Sequence, residues 1–256
     1  TLMDCAALNH MVQLIAEQKQ AVRTLYKFAG ETDAQIAVAS YRKSRTIWCR
    51  PEAEHGRIAA RGLVHPLLKN AVGNDFILED RAILTGANAS GKSTFMKAVA
   101  INVILAQTIH TCTAEMFGVE NVRVMTCMSL RDDVESGESY YFREAKYLRR
   151  ILDRMREKGR VFCVIDEIFK GTNTTERIAA SKAVLEYLAR TDGFVLVATH
   201  DWEIVDQAFY HKYYFDSKVM EHDIVFDYKI REGIGGKSNA IALLELLGYP
   251  REIVQK

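Results

Sequence analysis

The sequence of 256 residues contains little that would mark a secreted, membrane-spanning or disordered protein. It has three prolines and no low-complexity run, which argues against long disordered linkers. No apolar run reaches the length of a transmembrane helix, and no signal peptide is visible. The five cysteines are odd in number and form no C-x-x-C pair, a usage that fits a reducing cytosol better than a disulfide framework or a zinc site. We therefore expect a cytoplasmic protein with no membrane partner.

The charge balance is close to neutral, with a formal net charge of +1 and a pI of about 7.6. A self-sufficient DNA-binding domain would be strongly basic, so any contact with nucleic acid is expected to lie elsewhere. With 48% hydrophobic residues, the chain can bury one large α/β core, or such a core with a small appendage. It starts at Thr1, without an initiator methionine and inside a helical pattern, so we expect a fragment of a longer protein.

The segment LTGANASGKSTF has the spacing of a phosphate-binding loop, G-x-x-x-x-G-K-S. Such a loop needs glycine because its backbone N–H groups must point at the phosphates, and a side chain would block their approach. Lys92 is expected to neutralise the β- and γ-phosphates, and the Ser93 hydroxyl to bind Mg²⁺. An apolar strand-like segment precedes the loop and a helical pattern follows it, as this motif requires. The predicted nucleotide-binding residues of the loop are Gly86, Ala87, Asn88, Ala89, Ser90, Gly91, Lys92, Ser93 and Thr94.

Two further apolar runs end in polar side chains that are expected to face this loop. RVFCVIDE has the pattern of a strand buried on both faces and ends in Asp166 and Glu167. Asp166 is placed to hold the Mg²⁺ shell, and Glu167 to polarise the water that attacks the γ-phosphate. GFVLVATHD leads to His200, which could contact the γ-phosphate or that water. A lone histidine at a strand end is more often structural, but as the third strand-end polar group in one sheet His200 is expected to sense the phosphate. Because the carboxyl ends of parallel strands face one crevice, these groups are predicted to converge.

The motifs, taken in order, resemble the C-terminal ATPase domain of the MutS family. They are TGANASGKST, SGESYYFREAKYLRRIL, VIDEIFKGTNTTER and VATHDWEIV, and the similarity runs over about residues 63–256. This chain departs from the mismatch-repair members, which tend to have GPNMGGKST at the loop. Lys170 stands where they tend to have an arginine, and Tyr140 where they tend to have a threonine. These departures leave the phosphate chemistry intact and favour a branch other than mismatch repair.

The resemblance implies an α/β fold, a P-loop NTPase of the ABC type with a central, mostly parallel sheet flanked by helices. Residues 1–56 are expected to form a helical hairpin, with a second helix after Gly30, similar to the end of the lever helices that precede this domain. Residues 57–256 would be the ATPase domain, in which residues 238–256 would form a helical dimerisation part.

The resemblance also assigns roles at the nucleotide. Ser136, Gly137 and Ser139 match the signature loop that reaches across a dimer to the partner's γ-phosphate. Phe76 falls where the family places an aromatic residue near the adenine, and Tyr228 where some members have a histidine on its other face. For these two residues an ordinary core phenylalanine and an ordinary strand tyrosine remain open alternatives.

The function implied is binding and hydrolysis of ATP with Mg²⁺ at a composite homodimer interface. This cycle would drive conformational change in a DNA-associated protein of the repair or recombination type, with double-stranded DNA bound through regions missing from this chain. One alternative is a nucleotide-gated scaffold with little hydrolysis, against which the intact Glu167 argues. Another is an ABC ATPase of a different branch, against which the lack of an LSGGQ segment and the MutS-like C-terminal part argue.

Overall fold

The computed structural model describes residues 2–87, 89–128, 140–157, 159–206, 209–219, 224–235 and 248–250. The chain divides into two compact units, Thr1–Thr46 and Ile47–Lys256. The second unit starts before the predicted residue 57 because Cys49 and Cys112 exchange backbone hydrogen bonds of 2.9 Å, and β1 (Glu52–Ala53) also joins a sheet of that unit.

The first unit is helical, with α1 (Leu2–Glu17) and α2 (Lys19–Lys43) separated only by Gln18. The Gln18 N–H donates to the Leu14 carbonyl oxygen and the Val22 N–H to the Gln18 carbonyl oxygen, so the ladder of α1 ends and that of α2 begins at Gln18. The predicted hairpin with a second helix after Gly30 is wrong, because Gly30 lies inside α2. A glycine in a helix interior costs roughly 1 kcal/mol relative to alanine, which weakens a helix without ending it.

The second unit contains two sheets in its described part. The remaining strands are β2 (Ile58–Leu63), β3 (Asn74–Leu78), β4 (Arg81–Gly86), β5 (Met116–Val119), β6 (Arg123–Cys127), β7 (Val161–Asp166), β8 (Gly193–Ala198), β9 (His211–Val219) and β10 (Ile224–Glu232). The smaller sheet has the order β1-β5-β2-β3, and the larger one the order β10-β9-β4-β8-β7-β6. Neighbours from β9 to β6 are parallel, and β10 is antiparallel to β9. A mostly parallel central sheet was predicted, and the larger sheet has this form.

The larger sheet has a hydrophobic core on each face. Phe162 and Val164 of β7 belong to one core, which also holds α3 (Lys92–Ile109) and the buried side of the smaller sheet. Cys163 and Ile165 belong to the other core, with side chains of three further helices. These helices are α4 (Tyr140–Met155), α5 (Thr174–Leu188) and α6 (Trp202–Val205). Because successive strand residues face opposite sides, a strand segment buried on both faces must be apolar throughout, as VFCVI at residues 161–165 is.

Asparagines with buried or capping roles fix two helices of this unit. Asn102 of α3 is fully buried, and its Oδ1 accepts a hydrogen bond from the Thr113 N–H at 2.6 Å. Asn173 precedes α5, and its side chain accepts from the Glu176 N–H at 3.0 Å, which satisfies a free donor of the first turn.

Among the described helices, none combines the length and apolar character needed to span a bilayer.

Candidate functional site

The predicted phosphate loop connects β4, which ends at Gly86, to α3, which begins at Lys92. Gly86 and Gly91 have φ angles of +141° and +106°, and Ala89 has a φ of +64°. A Cβ atom at Gly86 would lie 2.8 Å from the carbonyl oxygen of Phe215, so glycine is needed there for both conformation and space. The sequence therefore forms the tight strand-to-helix turn that its glycine spacing predicts.

The Lys92 side chain folds back into this loop. Only 5% of the residue is exposed, and its Nζ donates to the carbonyl oxygens of Gly86 at 2.7 Å and Ala87 at 2.9 Å. Burial lowers the pKa of Lys92 to about 8, although the carboxylates of Glu167 and Asp166 favour its charged form. The ammonium group is thus held at the inner side of the loop, where an anion would meet it.

Ser93 and Asp166 meet at the end of the central strands. The Ser93 hydroxyl donates to Oδ2 of Asp166 at 2.6 Å, across 73 residues of sequence. Both groups offer hard oxygen ligands, and Mg²⁺ in phosphate sites uses one or two such protein ligands with water and substrate oxygens. The pair therefore fits a magnesium ion. No cluster of three or more His, Cys, Asp or Glu residues suited to a metal occurs among the described residues.

Glu167 lies between two basic side chains. His200 Nε2 is 3.0 Å from its Oε1, and Lys170 Nζ is 3.2 Å from its Oε2. Burial opposes ionisation of Glu167, but the hydrogen bond from His200 and the charge of Lys170 outweigh it and lower its pKa to about 2. The predicted convergence of Glu167 and His200 is present in the structure. Sequence reasoning noted Lys170 only as a substitution and missed its contact with Glu167.

One cavity of about 560 Å³ joins these groups. Its lining includes polar groups, namely the loop with Glu167, Lys170 and His200, and also Leu68, Ala71, Val72 and Tyr228. Small-molecule sites commonly have about 300–1,000 Å³, so the cavity has room for a ligand larger than a phosphate group.

The two predicted adenine residues differ in placement. Phe76 is 2% exposed and packs in the core, with its ring centroid 5.1 Å from those of Phe95 and Tyr213. It is not among the residues that line the cavity, and it lies on the buried face of β3 with Asn74 and Leu78. Tyr228 does line the cavity, and a Cβ atom at Gly91 would lie 3.1 Å from its ring. The placement of Phe76 agrees with the alternative of an ordinary core phenylalanine. Tyr228 therefore remains the candidate for contact with a base.

The backbone of Tyr228 is fixed by a buried asparagine. Tyr228 has a φ of +54° and lies where the pairing of β10 with β9 shifts between Phe226 and Ile230. Asn74 Nδ2 donates to the Tyr228 carbonyl oxygen at 3.0 Å, and the Ile230 N–H donates to Asn74 Oδ1 at 2.8 Å. These bonds occupy the groups that the irregular pairing leaves free. Nothing local in the sequence signals the contact, since 154 residues separate the two partners.

Several predicted residues lie outside the described residues. They are Asn88 of the loop, Ser136, Gly137 and Ser139 of the signature, and residues 238–247 and 251–256 of the C-terminal part. Their predicted roles remain predictions.

The described geometry is that of an α/β protein with a glycine loop between a central strand and a helix, and sequence comparison assigns it to a family. Residues 82–256 match the family described as MutS domain V. The chain is 31% identical over 255 residues to the DNA mismatch repair protein MutS of Natronomonas pharaonis, covering 94% of this chain and 29% of that protein. It is also 31% identical over 262 residues to MutS of Fusobacterium nucleatum, covering 95% and 29%. The chain belongs to the MutS family.

The comparisons identify the family and not a branch within it. The human MutS protein homolog 4 is 29% identical over 278 residues, covering 99% of this chain and 29% of that protein. Identity is thus similar for proteins with different names within the family. The chain spans less than a third of the length of these relatives. Membership of the MutS family argues against the alternative that this chain is an ABC ATPase of a different branch.

Proposed function

We propose that this chain binds ATP with Mg²⁺ and hydrolyses it at a composite dimer interface, in a DNA-associated protein of the repair or recombination type. The observation that carries the proposal is the convergence of Lys92, the Ser93–Asp166 pair and Glu167 at one end of the central sheet. These groups come from two different strand ends, those of β4 and β7, which are far apart in the sequence. Their chemistry matches the needs of phosphoryl transfer, which are charge neutralisation, metal ligation and a positioned water.

The phosphate chain would lie along the loop at the start of α3. There the free N–H groups of the first helical turn and the helix dipole favour negative charge. Lys92 would exchange its bonds to loop carbonyls for bonds to phosphate oxygens, since its ammonium already lies among them. Ser93 and Asp166 would hold Mg²⁺, which supplies neutralisation of charge on the phosphate oxygens.

The attacking water would be positioned by Glu167. Its low pKa keeps the carboxylate ionised at neutral pH, so that it would accept a hydrogen bond from the water. A carboxylate with a pKa near 2 is a weak base, so its main contribution is orientation and polarisation of the water. His200 holds one carboxylate oxygen at 3.0 Å and thereby limits rotation of the group.

The base of the nucleotide would lie against the apolar lining of the cavity. Tyr228 is 46% exposed and lines the cavity together with Ala71 and Val72. Stacking of a base on an aromatic side chain contributes about 1–3 kcal/mol in nucleic-acid complexes. This arrangement supports an adenine nucleotide and does not by itself discriminate among bases.

The dimer and DNA parts of the proposal rest on the family. Ser136, Gly137 and Ser139 would complete the phosphate site of a second copy, so that ATP holds two copies together. Hydrolysis would then release the interface, and α1 and α2 would transmit the change as lever helices. The names of the relatives, which include DNA mismatch repair proteins, support an association with DNA. We propose that the DNA is double-stranded and is bound through regions outside this chain.

The test is ATP turnover measured as a function of protein concentration. We compare the wild-type chain with Glu167→Gln, Ser139→Ala and the exposed control Glu186→Gln. Specific activity that rises with concentration and falls in the first two variants, but not in the control, supports hydrolysis at a composite site. Turnover that is independent of concentration and of Ser139 would refute the composite site.

A nucleotide-gated scaffold with little hydrolysis is a second candidate. It is favoured by the engagement of both Glu167 carboxylate oxygens by basic side chains. This function predicts nucleotide binding with turnover no higher in the wild type than in Glu167→Gln.

A further inference from the structure

Helix α4 carries a carboxylate within its buried stripe. The buried residues of this helix are Glu144, Leu148, Ile151 and Met155, which lie on one helical face. Glu144 is only 2% exposed, and a glutamate is rarely buried to this extent without a specific partner. An apolar residue would continue the stripe at lower cost, so the carboxylate needs an explanation outside core packing.

Its partner is the loop that carries Glu167. The Phe169 N–H donates to Glu144 Oε1 at 2.6 Å. Burial raises the pKa of Glu144, and the backbone N–H groups of Phe169, Lys170 and Gly171 offset this only in part. Successive backbone N–H groups that face one anion form a nest, and here the anion is a side chain of the same protein. The other oxygen, Oε2, has no hydrogen-bond partner among the described residues.

The loop has a conformation that needs external support. Glu167 and Phe169 have φ angles of +62° and +59°, in the left-handed region that residues other than glycine rarely adopt. Such conformations persist only where the surroundings enforce them. They also determine where the Glu167 and Lys170 side chains point, because both leave the backbone within this turn.

The loop also lies directly against the first turn of α4. A Cβ atom at Gly171 would lie 2.9 Å from the Tyr141 backbone nitrogen, so glycine is required for this approach. The rings of Tyr141 and Phe169 have centroids 5.6 Å apart. The contact between helix and loop therefore combines the backbone N–H groups that face Glu144 with one close backbone approach and one aromatic pair.

We propose that Glu144 is a positioning residue, which fixes the loop of residues 167–171 on α4 and so sets the position of the Glu167 carboxylate. This inference rests on the proposed ATP hydrolysis. Glu144 lies in the same helix that begins directly after the predicted signature residue Ser139. A displacement of the start of α4 would therefore act on Glu167 through Glu144.

Two substitutions of Glu144 by residues of similar length separate the effect of the hydrogen bond from the effect of packing. Glu144→Gln keeps an oxygen acceptor for the Phe169 N–H, and Glu144→Met removes it. Ile151→Val, in the same buried stripe, is the control for a small loss of packing. For each chain we measure kcat and KM for ATP, the Kd of a fluorescent ATP analogue, the thermal midpoint, and hydrogen exchange of the amides of residues 168–171.

For Glu144→Met we expect kcat to fall roughly 10- to 100-fold, the loss typical of a catalytic group displaced by about 1 Å. The Kd should stay within about twofold of that of the control, because the phosphate loop is not touched, and the amides of residues 168–171 should exchange faster. Glu144→Gln should retain most of kcat and of the amide protection. The inference would be overturned if a folded Glu144→Met chain had the kcat of the control. It would also be overturned if the affinity for the ATP analogue and kcat fell by the same factor.

The two proposals can fail separately. If the wild-type chain shows no turnover, the proposed function fails, and hydrogen exchange still decides the role of Glu144. Protection in wild type and Glu144→Gln that is lost in Glu144→Met supports the positioning role, and equal exchange in all three overturns it. If Glu144→Met does not fold, Gly171→Ala replaces it, since this change pushes the loop away from α4. An unchanged kcat and unchanged exchange in Gly171→Ala would then overturn the inference.

Discussion

Substitution of Glu167 by glutamine should make the free energy of unfolding less dependent on pH. The neighbours of Glu167 lower its pKa from the ordinary 4.5 to about 2, and its side chain is only 26% exposed. A folded pKa below the unfolded one adds stability that is fully present above pH 4.5 and is lost as the pH falls towards 2. At about 1.4 kcal/mol per pKa unit, the full contribution is about 3 kcal/mol, and about 2 kcal/mol of it is lost between pH 7 and pH 3.

The assay is urea denaturation at several pH values between 7 and 3, without nucleotide or metal ion. The difference in unfolding free energy between wild type and Glu167→Gln should shrink by about 2 kcal/mol over this range, because glutamine does not titrate. The exposed control Glu186→Gln should show no such change. A difference that is constant with pH would mean that the carboxylate is not held by His200 and Lys170, and it would refute the geometry on which the positioned water depends.

Three further predictions concern the fold and the base. Asn102→Ala should lower the unfolding free energy by about 2–4 kcal/mol in urea, because it leaves a buried N–H group without its acceptor and opens a cavity; a loss as small as that of the exposed Asn121→Ala would contradict this. Tyr228→Ala should weaken binding of an ATP analogue roughly tenfold, because stacking is lost. Phe76→Leu should lower the thermal midpoint with little effect on the Kd of the analogue. A large effect on Kd in Phe76→Leu and none in Tyr228→Ala would assign the base to Phe76. Asn173→Ala should cost about 1 kcal/mol by loss of the α5 cap, and an unchanged urea midpoint would exclude the cap.

The features predicted correctly depend on short-range patterns. The glycine spacing of the loop fixes its backbone within a few residues, and apolar runs such as RVFCVID identify strands buried on both faces. The ends of these runs then place Asp166, Glu167 and His200 at one edge of the sheet. Each of these conclusions needs only local sequence and the rule that parallel strands share an orientation.

The features missed depend on contacts distant in sequence. Phe76 has the alternation of a strand, but its inward direction depends on which face of the smaller sheet is covered. The contact of Lys170 with Glu167 depends on left-handed conformations at residues other than glycine, which no residue type signals. The position of Tyr228 depends on Asn74, far away in the chain. The helix through Gly30 shows the opposite error. Gly30 is a local signal for a helix break, but the helical propensity of its neighbours outweighs this signal, and α2 continues through it.

The bonds of Lys92 to its own loop have a consequence for selectivity. In this conformation the ammonium already satisfies two carbonyl oxygens, at 2.7 and 2.9 Å. A competing ligand gains only the difference between its own bonds to Lys92 and these internal ones. A single phosphate group replaces neutral acceptors by a charged one, and a diphosphate or triphosphate brings further negative charge to the same ammonium. If the proposed function is right, we therefore expect these internal bonds to disfavour AMP and inorganic phosphate relative to ADP and ATP.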